Sequence, residues 1–136
     1  MKFDTKIAVV VRDDLQSWQK LNITAFTVSG IAGTVEGIIG EPYEDGSGNL
    51  YLPMFRQPVL VFNATADQIK TVYKRALSRQ IRFSIFTEDL FQTNNDDDNR
   101  AAVRARQQEE LVIVGMAMWA EKKSVDKVLS GLALHS

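Results

Sequence analysis

The segment Lys6-Ile7-Ala8-Val9-Val10-Val11 is an apolar run with no trace of the alternation that marks a half-buried strand. Strands that read this way are buried on both faces, as in parallel or mixed sheets covered by helices. The run therefore commits the chain to a layered arrangement. It stops abruptly at Arg12-Asp13-Asp14, and Trp18 and Lys20 follow. The break is either an active-site loop or a polar turn that joins a strand to a helix.

A chain of 136 residues suits one domain. At that length roughly two-thirds of the unfolded surface is buried, so no disulfide or metal is needed to fold. Hydrophobic residues at 45% and charged residues at 24% are ordinary for a soluble protein. The absence of cysteine excludes a disulfide framework, a thiolate nucleophile and Cys-ligated zinc, and fits a cytoplasmic location best. Arg12 to Asp14 cut the first apolar run too short for a signal peptide, and no small-residue cleavage site follows. No stretch approaches about 20 apolar residues, so no spanning helix and no membrane partner are expected. A net charge of −1 argues against a protein built around polyanion binding, though not against a local basic patch.

Further along, Ser17 to Ala32 mixes helix and strand signals. Ser17 can cap a helix with Leu21, Ala25, Val28 and Ala32 on one face, while Ile23 to Val28 is rich in strand formers; a helix is expected. Residues 40–57 are irregular, with a turn at Asp45 to Asn49 and one hairpin arm at Leu50-Tyr51-Leu52. Pro58 to Phe62 reads as a second strand. Thr65 and Gln68 then form a capping box ahead of Ile69, Val72, Tyr73, Ala76 and Leu77, the clearest helix in the chain. Ile81 to Phe86 is a third strand, Ala101 to Gln107 a short helix and Leu111 to Met118 a fourth strand. Ser124 caps a last helix. The β-α-β-α-β-α-β-α order defines a single α/β layered domain over residues 1–136.

None of GxxxxGK[ST], HExxH, GxSxG or an EF-hand loop is present, and neither a cofactor nor a metal is expected. His135, the sole histidine, is read as a solvated residue near the chain end, which argues against imidazole general-base catalysis. Gly30, Gly33, Gly37 and Gly40 follow a helix rather than a strand, so they suit a helix end and close packing better than a phosphate cradle. Asp96 to Asp98 read as a solvated charge run. Lys70, Lys74, Arg75, Arg79 and Arg82 make an acid-free basic stretch, either a solvated face or a phosphate-backbone contact.

In open α/β sheets ligands settle beyond the carboxyl ends of parallel strands. The first strand delivers Arg12, Asp13 and Asp14 there, the second Asn63, and the third Thr87, Glu88 and Asp89. Carboxylates at such an edge can act as general base or orient water, and Lys20 can stabilise an oxyanion. Trp18 can fill this pocket, stack on a ligand ring, or staple the helix.

Val10-Val11-Arg12-Asp13-Asp14-Leu15 resembles the opening of the peptidyl-tRNA hydrolase II family. Gln57-Pro58-Val59-Leu60-Val61 before a capped helix, Phe83-Ser84-Ile85-Phe86-Thr87-Glu88 and Ile113-Val114-Gly115 follow that family's order of elements. The sequence looks closer still to an uncharacterised bacterial family of unknown function thought to share the fold. The resemblance implies a three-layer α/β/α sandwich on a mixed four-stranded sheet, its last strand antiparallel. It aligns Lys20 with a family lysine and Glu88 with a family carboxylate, and only loosely Thr93 with a family threonine. Asn22 stands where the family has a second lysine, and the family's glycines, Gln, Cys and His of the first loop and helix have no counterpart.

Two functions follow. One is a hydrolase of ester or amide bonds acting on a small acyl substrate or tRNA, with Lys20, Asp14 and Glu88 catalytic and Arg12, Asp13, Trp18, Asn22, Asn63 and Thr87 binding substrate. The other is a non-catalytic module on the same fold that binds a small ligand or RNA. The apolar Leu50 to Phe55 stretch is a candidate homodimer contact.

Overall fold

The structure, a computed structural model, describes residues 2–136. The first apolar run forms β1 (Thr5–Arg12), followed by α1 (Ser17–Thr34) and a small hairpin of β2 (Tyr43–Glu44) and β3 (Leu50–Tyr51). Next come β4 (Val59–Ala64), α2 (Ala66–Ser78), β5 (Arg82–Thr87) and α3 (Asp96–Arg104). The chain ends with β6 (Ile113–Glu121), α4 (Lys122–Val128) and β7 (Ala133–Leu134).

The main sheet is five-stranded, in the order β5-β6-β1-β4-β7. β1 runs parallel to β4 and antiparallel to β6, and β5 is antiparallel to β6, so β1, β4 and β5 share one direction. The expected sheet of four strands is therefore corrected to five. Gly131, at a φ of 94°, turns the chain after α4 and returns it along β4, with Leu134 opposite Phe62 and Ala133 opposite Asn63.

Because β1 is apolar on both faces, it serves two cores at once. Ile7, Val9 and Val11 pack with Ile23 and Ile31 of α1; Ala8 and Val10 pack with Ile69 and Val72 of α2 and with Val125 and Val128 of α4. The result is helices on both sides of the sheet. Each fully buried Ile or Val side chain contributes roughly 1.5–3 kcal/mol of hydrophobic stabilisation.

α2 follows its sequence signal. Gln68 N donates to Thr65 Oγ1 and Thr65 N to Gln68 Oε1, while Ile69, Val72 and Ala76 are buried. α1 forms where expected but differs in detail. Its cap is Gln16 rather than Ser17, and its buried stripe is Ile23, Thr27 and Ile31 rather than Leu21, Ala25, Val28 and Ala32. Leu21 is 71% exposed. The reason lies in β6, where a Cβ on Gly115 would overlap the Ile23 side chain. The missing side chain lets α1 approach the sheet along that line.

Three further boundaries move. α3 begins five residues before the expected Ala101, because Asn95 Oδ1 accepts from Asp98 N at 2.8 Å. Asp96 to Asp98 are thus the first turn of a helix, where carboxylates favour the helix dipole. They are not a loop run. β6 runs later than expected, and α4 starts at Lys122, leaving Ser124 inside it instead of capping it.

Candidate functional site

The shared direction of β1, β4 and β5 brings their carboxyl ends to one edge of the sheet, beside the start of β6. Asp13 N donates to Ala64 O at 2.9 Å, tying the loop after β1 to the end of β4. Glu88 N donates to Val112 O at 2.9 Å, tying the segment after β5 to the entry of β6. The three strand ends are thus laced together by main chain.

Arg12 turns a guanidinium fork onto Asp14, with Nε to Oδ1 at 3.0 Å and Nη2 to Oδ2 at 2.5 Å. The hydrogen bonds to Asp14 raise the Arg12 pKa, and the Asp14, Glu88 and Asp13 charges add to that. In return the Arg12 hydrogen bonds hold Asp14 below the ordinary carboxylate range, with Lys20 adding a smaller attraction. Arg12, Asp13, Asp14, Lys20 and Glu88 therefore act on one another as a charge cluster. A carboxylate already engaged in this way is a poor proton acceptor, which weakens Asp14 as a general base.

His135 is exposed, as a solvated residue near the chain end should be, yet it has partners. Its main-chain N donates to Val61 O at 2.8 Å, continuing the β7–β4 pairing, and its Nε2 lies 3.3 Å from Lys20 Nζ. An ammonium can only donate, so Nε2 is the acceptor and the ring proton sits on Nδ1, 2.8 Å from Ser136 O. His135 was missed because a short SGLALHS tail looks like trailing chain. The available signal was the glycine turn at Gly131 with Leu132 and Leu134 alternating behind it.

Other expected residues take different places. Asn63, next to Val11 in the sheet and opposite Ala133 of β7, leaves its buried Oδ1 without a hydrogen-bond partner among the described residues. The same holds for Thr87 Oγ1, on a fully buried residue beside a break in the β5–β6 register. Leaving a buried polar atom unpaired costs about 1–3 kcal/mol, and these two lie near the carboxyl ends of β4 and β5, which β1 and β6 separate. Asn22 is separate from the charge cluster. With Phe26, Phe86, Leu90, Asn94 and Asn99 it lines a cavity of about 280 Å³ between α1 and α3.

Trp18 donates its indole N–H to Gln16 Oε1 at 2.8 Å and meets Phe91 edge-on at 5.8 Å, yet stays 55% exposed. Thr93 Oγ1 donates to Leu90 O and contacts Asn99 Oδ1, so it braces α3 and does not reach Glu88. Asp89 is paired with Arg106. Among the described residues no group of three or more His, Cys, Asp or Glu could hold a metal ion, and no helix is long and apolar enough to cross a membrane.

Fold and site together define a mixed α/β domain with a polar, charge-bearing edge where parallel strands end. The chain belongs to a family described as a protein of unknown function, DUF2000, whose model matches residues 5–136. Among solved structures it is similar to the protein of unknown function Atu0240 from Agrobacterium tumefaciens strain C58. The two share 44% identity and superpose with a TM-score of 0.96 over 99% of this chain and 100% of that one. No curated protein matches the chain.

Proposed function

We propose that the strand-end edge is a hydrolytic site for an ester or amide bond on a peptidyl-tRNA hydrolase II-like scaffold, acting in the cytoplasm on an acylated tRNA or a smaller acyl substrate. The observation that carries this reading is the contact between Lys20 Nζ and His135 Nε2. It couples a donor suited to an oxyanion with a nitrogen suited to accept a proton from water.

The step runs as follows. A substrate carbonyl oxygen draws the Lys20 ammonium away from His135, which frees the Nε2 lone pair. Water passes a proton to Nε2 as its oxygen bonds to the carbonyl carbon, and Lys20 stabilises the oxyanion that forms. Collapse breaks the bond to the leaving group, which takes the proton back from Nε2. Arg12, held by Asp14, adds positive potential, and Glu88 limits it. Asp14 is thereby an orienting partner of Arg12, and His135 takes the base role that sequence alone gave to Asp14 or Glu88.

The test is release of free tRNA from N-acylated aminoacyl-tRNA by the purified protein, beside Lys20→Ala, His135→Gln and Glu88→Ala variants. We expect turnover in the wild type that falls at least about tenfold in the first two variants and less in the third. No release above background from a folded wild type would sink the hydrolase. Ligand binding without turnover would then be favoured by the cavity beside Asn22. A tRNA contact through α2 has less support. Arg75 donates to Val128 O and Ser130 O, which leaves Lys70, Lys74 and Arg79 as the exposed bases of that helix.

A further inference from the structure

At the opposite end of the sheet the molecule carries an arm and a groove that nothing in the strand-end site uses. The arm is the β2–β3 hairpin with its flanks, rooted by the Ile39–Phe55 bridge, by Gly40 N to Met54 O at 2.9 Å and by Arg56 N to Ile38 O at 2.9 Å. Two-residue strands alone would not hold such an arm in shape. Asp45 does. Its carboxylate accepts from Ser47 N, Asn49 N, Asn49 Nδ2 and Tyr51 Oη, and Gly48 supplies a φ of 88°.

The arm so stiffened points its apolar residues at solvent: Leu50 is 69% exposed, Leu52 84% and Met54 57%. Large apolar side chains gathered on one rigid projection mark an interaction surface. Its charge is one-sided. From Leu21 to Phe55 there is no Lys or Arg, while Glu36, Glu41, Glu44 and Asp45 are acidic.

The groove lies between the C-terminal half of α1 and the start of β5, a cavity of about 650 Å³ walled by Gly30, Ile31, Val35 and Phe83, with Arg82 at its side. It runs along an open sheet edge. β5 is the outermost strand on that side, and among the described residues it makes no main-chain hydrogen bonds outside the β5–β6 pair. Arg82 is the basic residue of the groove's wall, whereas Arg75 and Arg79 line a separate cavity with Asp126 and Lys127 on the α4 side of the sheet. Among the described residues Arg82 forms no salt bridge, and its guanidinium lies 5.6 Å from the centre of the Trp119 ring.

We propose that the occupant of this groove is the hairpin arm of a second copy of the chain. β3 of one copy adds to the free edge of β5 in the other, Leu50, Leu52 and Met54 enter the groove, and Glu41 and Glu44 face Arg82. Strand addition at an open edge supplies main-chain hydrogen bonds, and the apolar pockets supply specificity. The arrangement is twofold and reciprocal, so each dimer contains two identical contacts and closes on itself.

Sedimentation equilibrium of the purified chain tests this. The wild type is expected to be a dimer whose dissociation constant rises with salt. Leu52→Glu with Met54→Glu should raise that constant at least about tenfold. So should Glu41→Arg with Glu44→Arg, and separately Arg82→Glu. The decisive sample is an equimolar mixture of the last two variants. Reciprocal geometry pairs the reversed arm of one with the reversed groove of the other, and leaves the second contact native, so the mixture should dimerise when neither variant does alone. Restoration also shows that both variants are folded. A wild type that stays monomeric to millimolar concentration overturns the proposal. So does a dimer that ignores all three variants and dissociates on Leu21→Glu, which would place the contact on the exposed face of α1.

Discussion

α1 and α2 both cover the sheet, but they are held by different means. α2 carries its instructions locally, in a reciprocal Thr65–Gln68 box and an apolar stripe at helical spacing. α1 carries few. Gln16 N donates to Gln19 Oε1, while Gln16 Oε1 takes the indole N–H of Trp18. Its position comes from partners distant in sequence, Gly115 on β6 and Ser84 on β5, whose hydroxyl donates to Thr27 O at 2.8 Å. The helix with the weaker local signal is the one that delivers Lys20 to His135. Its register against the sheet therefore sets the site geometry, and that register is a tertiary property.

The sharpest way to break this contrast is Gly115→Ala. The added methyl overlaps Ile23, so either α1 shifts or the side chain leaves its rotamer, and overpacking of this kind costs about 1–3 kcal/mol. We expect a loss near the top of that range in urea denaturation, because backbone of β6 lies beneath and cannot yield. In an Ile23→Ala background the same change should be close to neutral, and the double-mutant cycle would give the contact energy. Equal losses in both backgrounds would show that Gly115 is needed for another reason.

A smaller effect separates the two caps. Thr65→Ala removes the Oγ1 that accepts from Gln68 N and should cost about 1 kcal/mol. Gln16→Ala should cost less in stability, since the Gln16 side-chain oxygen holds the Trp18 indole. It should instead free Trp18, visible as a change in indole fluorescence with little shift in Tm. A Gln16→Ala loss as large as that of Thr65→Ala would mean that α1 depends on its cap after all.

The difference between the helices also explains what could be read from the sequence. Apolar runs and the Thr65 box are local patterns, so β1, β4, β5 and α2 stand out, and so does the convergence of Arg12, Asp14 and Glu88 at one edge. The buried face of α1 does not, because its apolar residues lie all around the helix and only the absence of a side chain at Gly115 selects Ile23. His135 was invisible for the same reason. A histidine near a chain end has no partner until β7 pairs with β4, a strand from the middle of the sequence. Asn95 as the cap of α3 was legible in kind, yet the aspartates behind it read more readily as loop.

The least perturbing probe of the α1 end of the site is titration of the Arg12–Asp14 pair. Asp14 is held below the ordinary carboxylate range by Arg12, so the pair stabilises the folded state above the unfolded carboxylate value of about 3.9. That contribution is lost as pH falls through the lower, folded value. Asp14 is largely exposed, so solvent screens the pair and the effect on stability should be small. Wild type and Asp14→Asn should differ slightly in Tm at neutral pH and converge on acidification. The same variant should alter hydrolysis more than stability, because a released Arg12 is free to compete with Lys20 for the oxyanion. Were the two proteins to keep a constant Tm difference down to strongly acidic pH, the hydrogen bonds of Asp14 to Arg12 would not be what lowers its pKa.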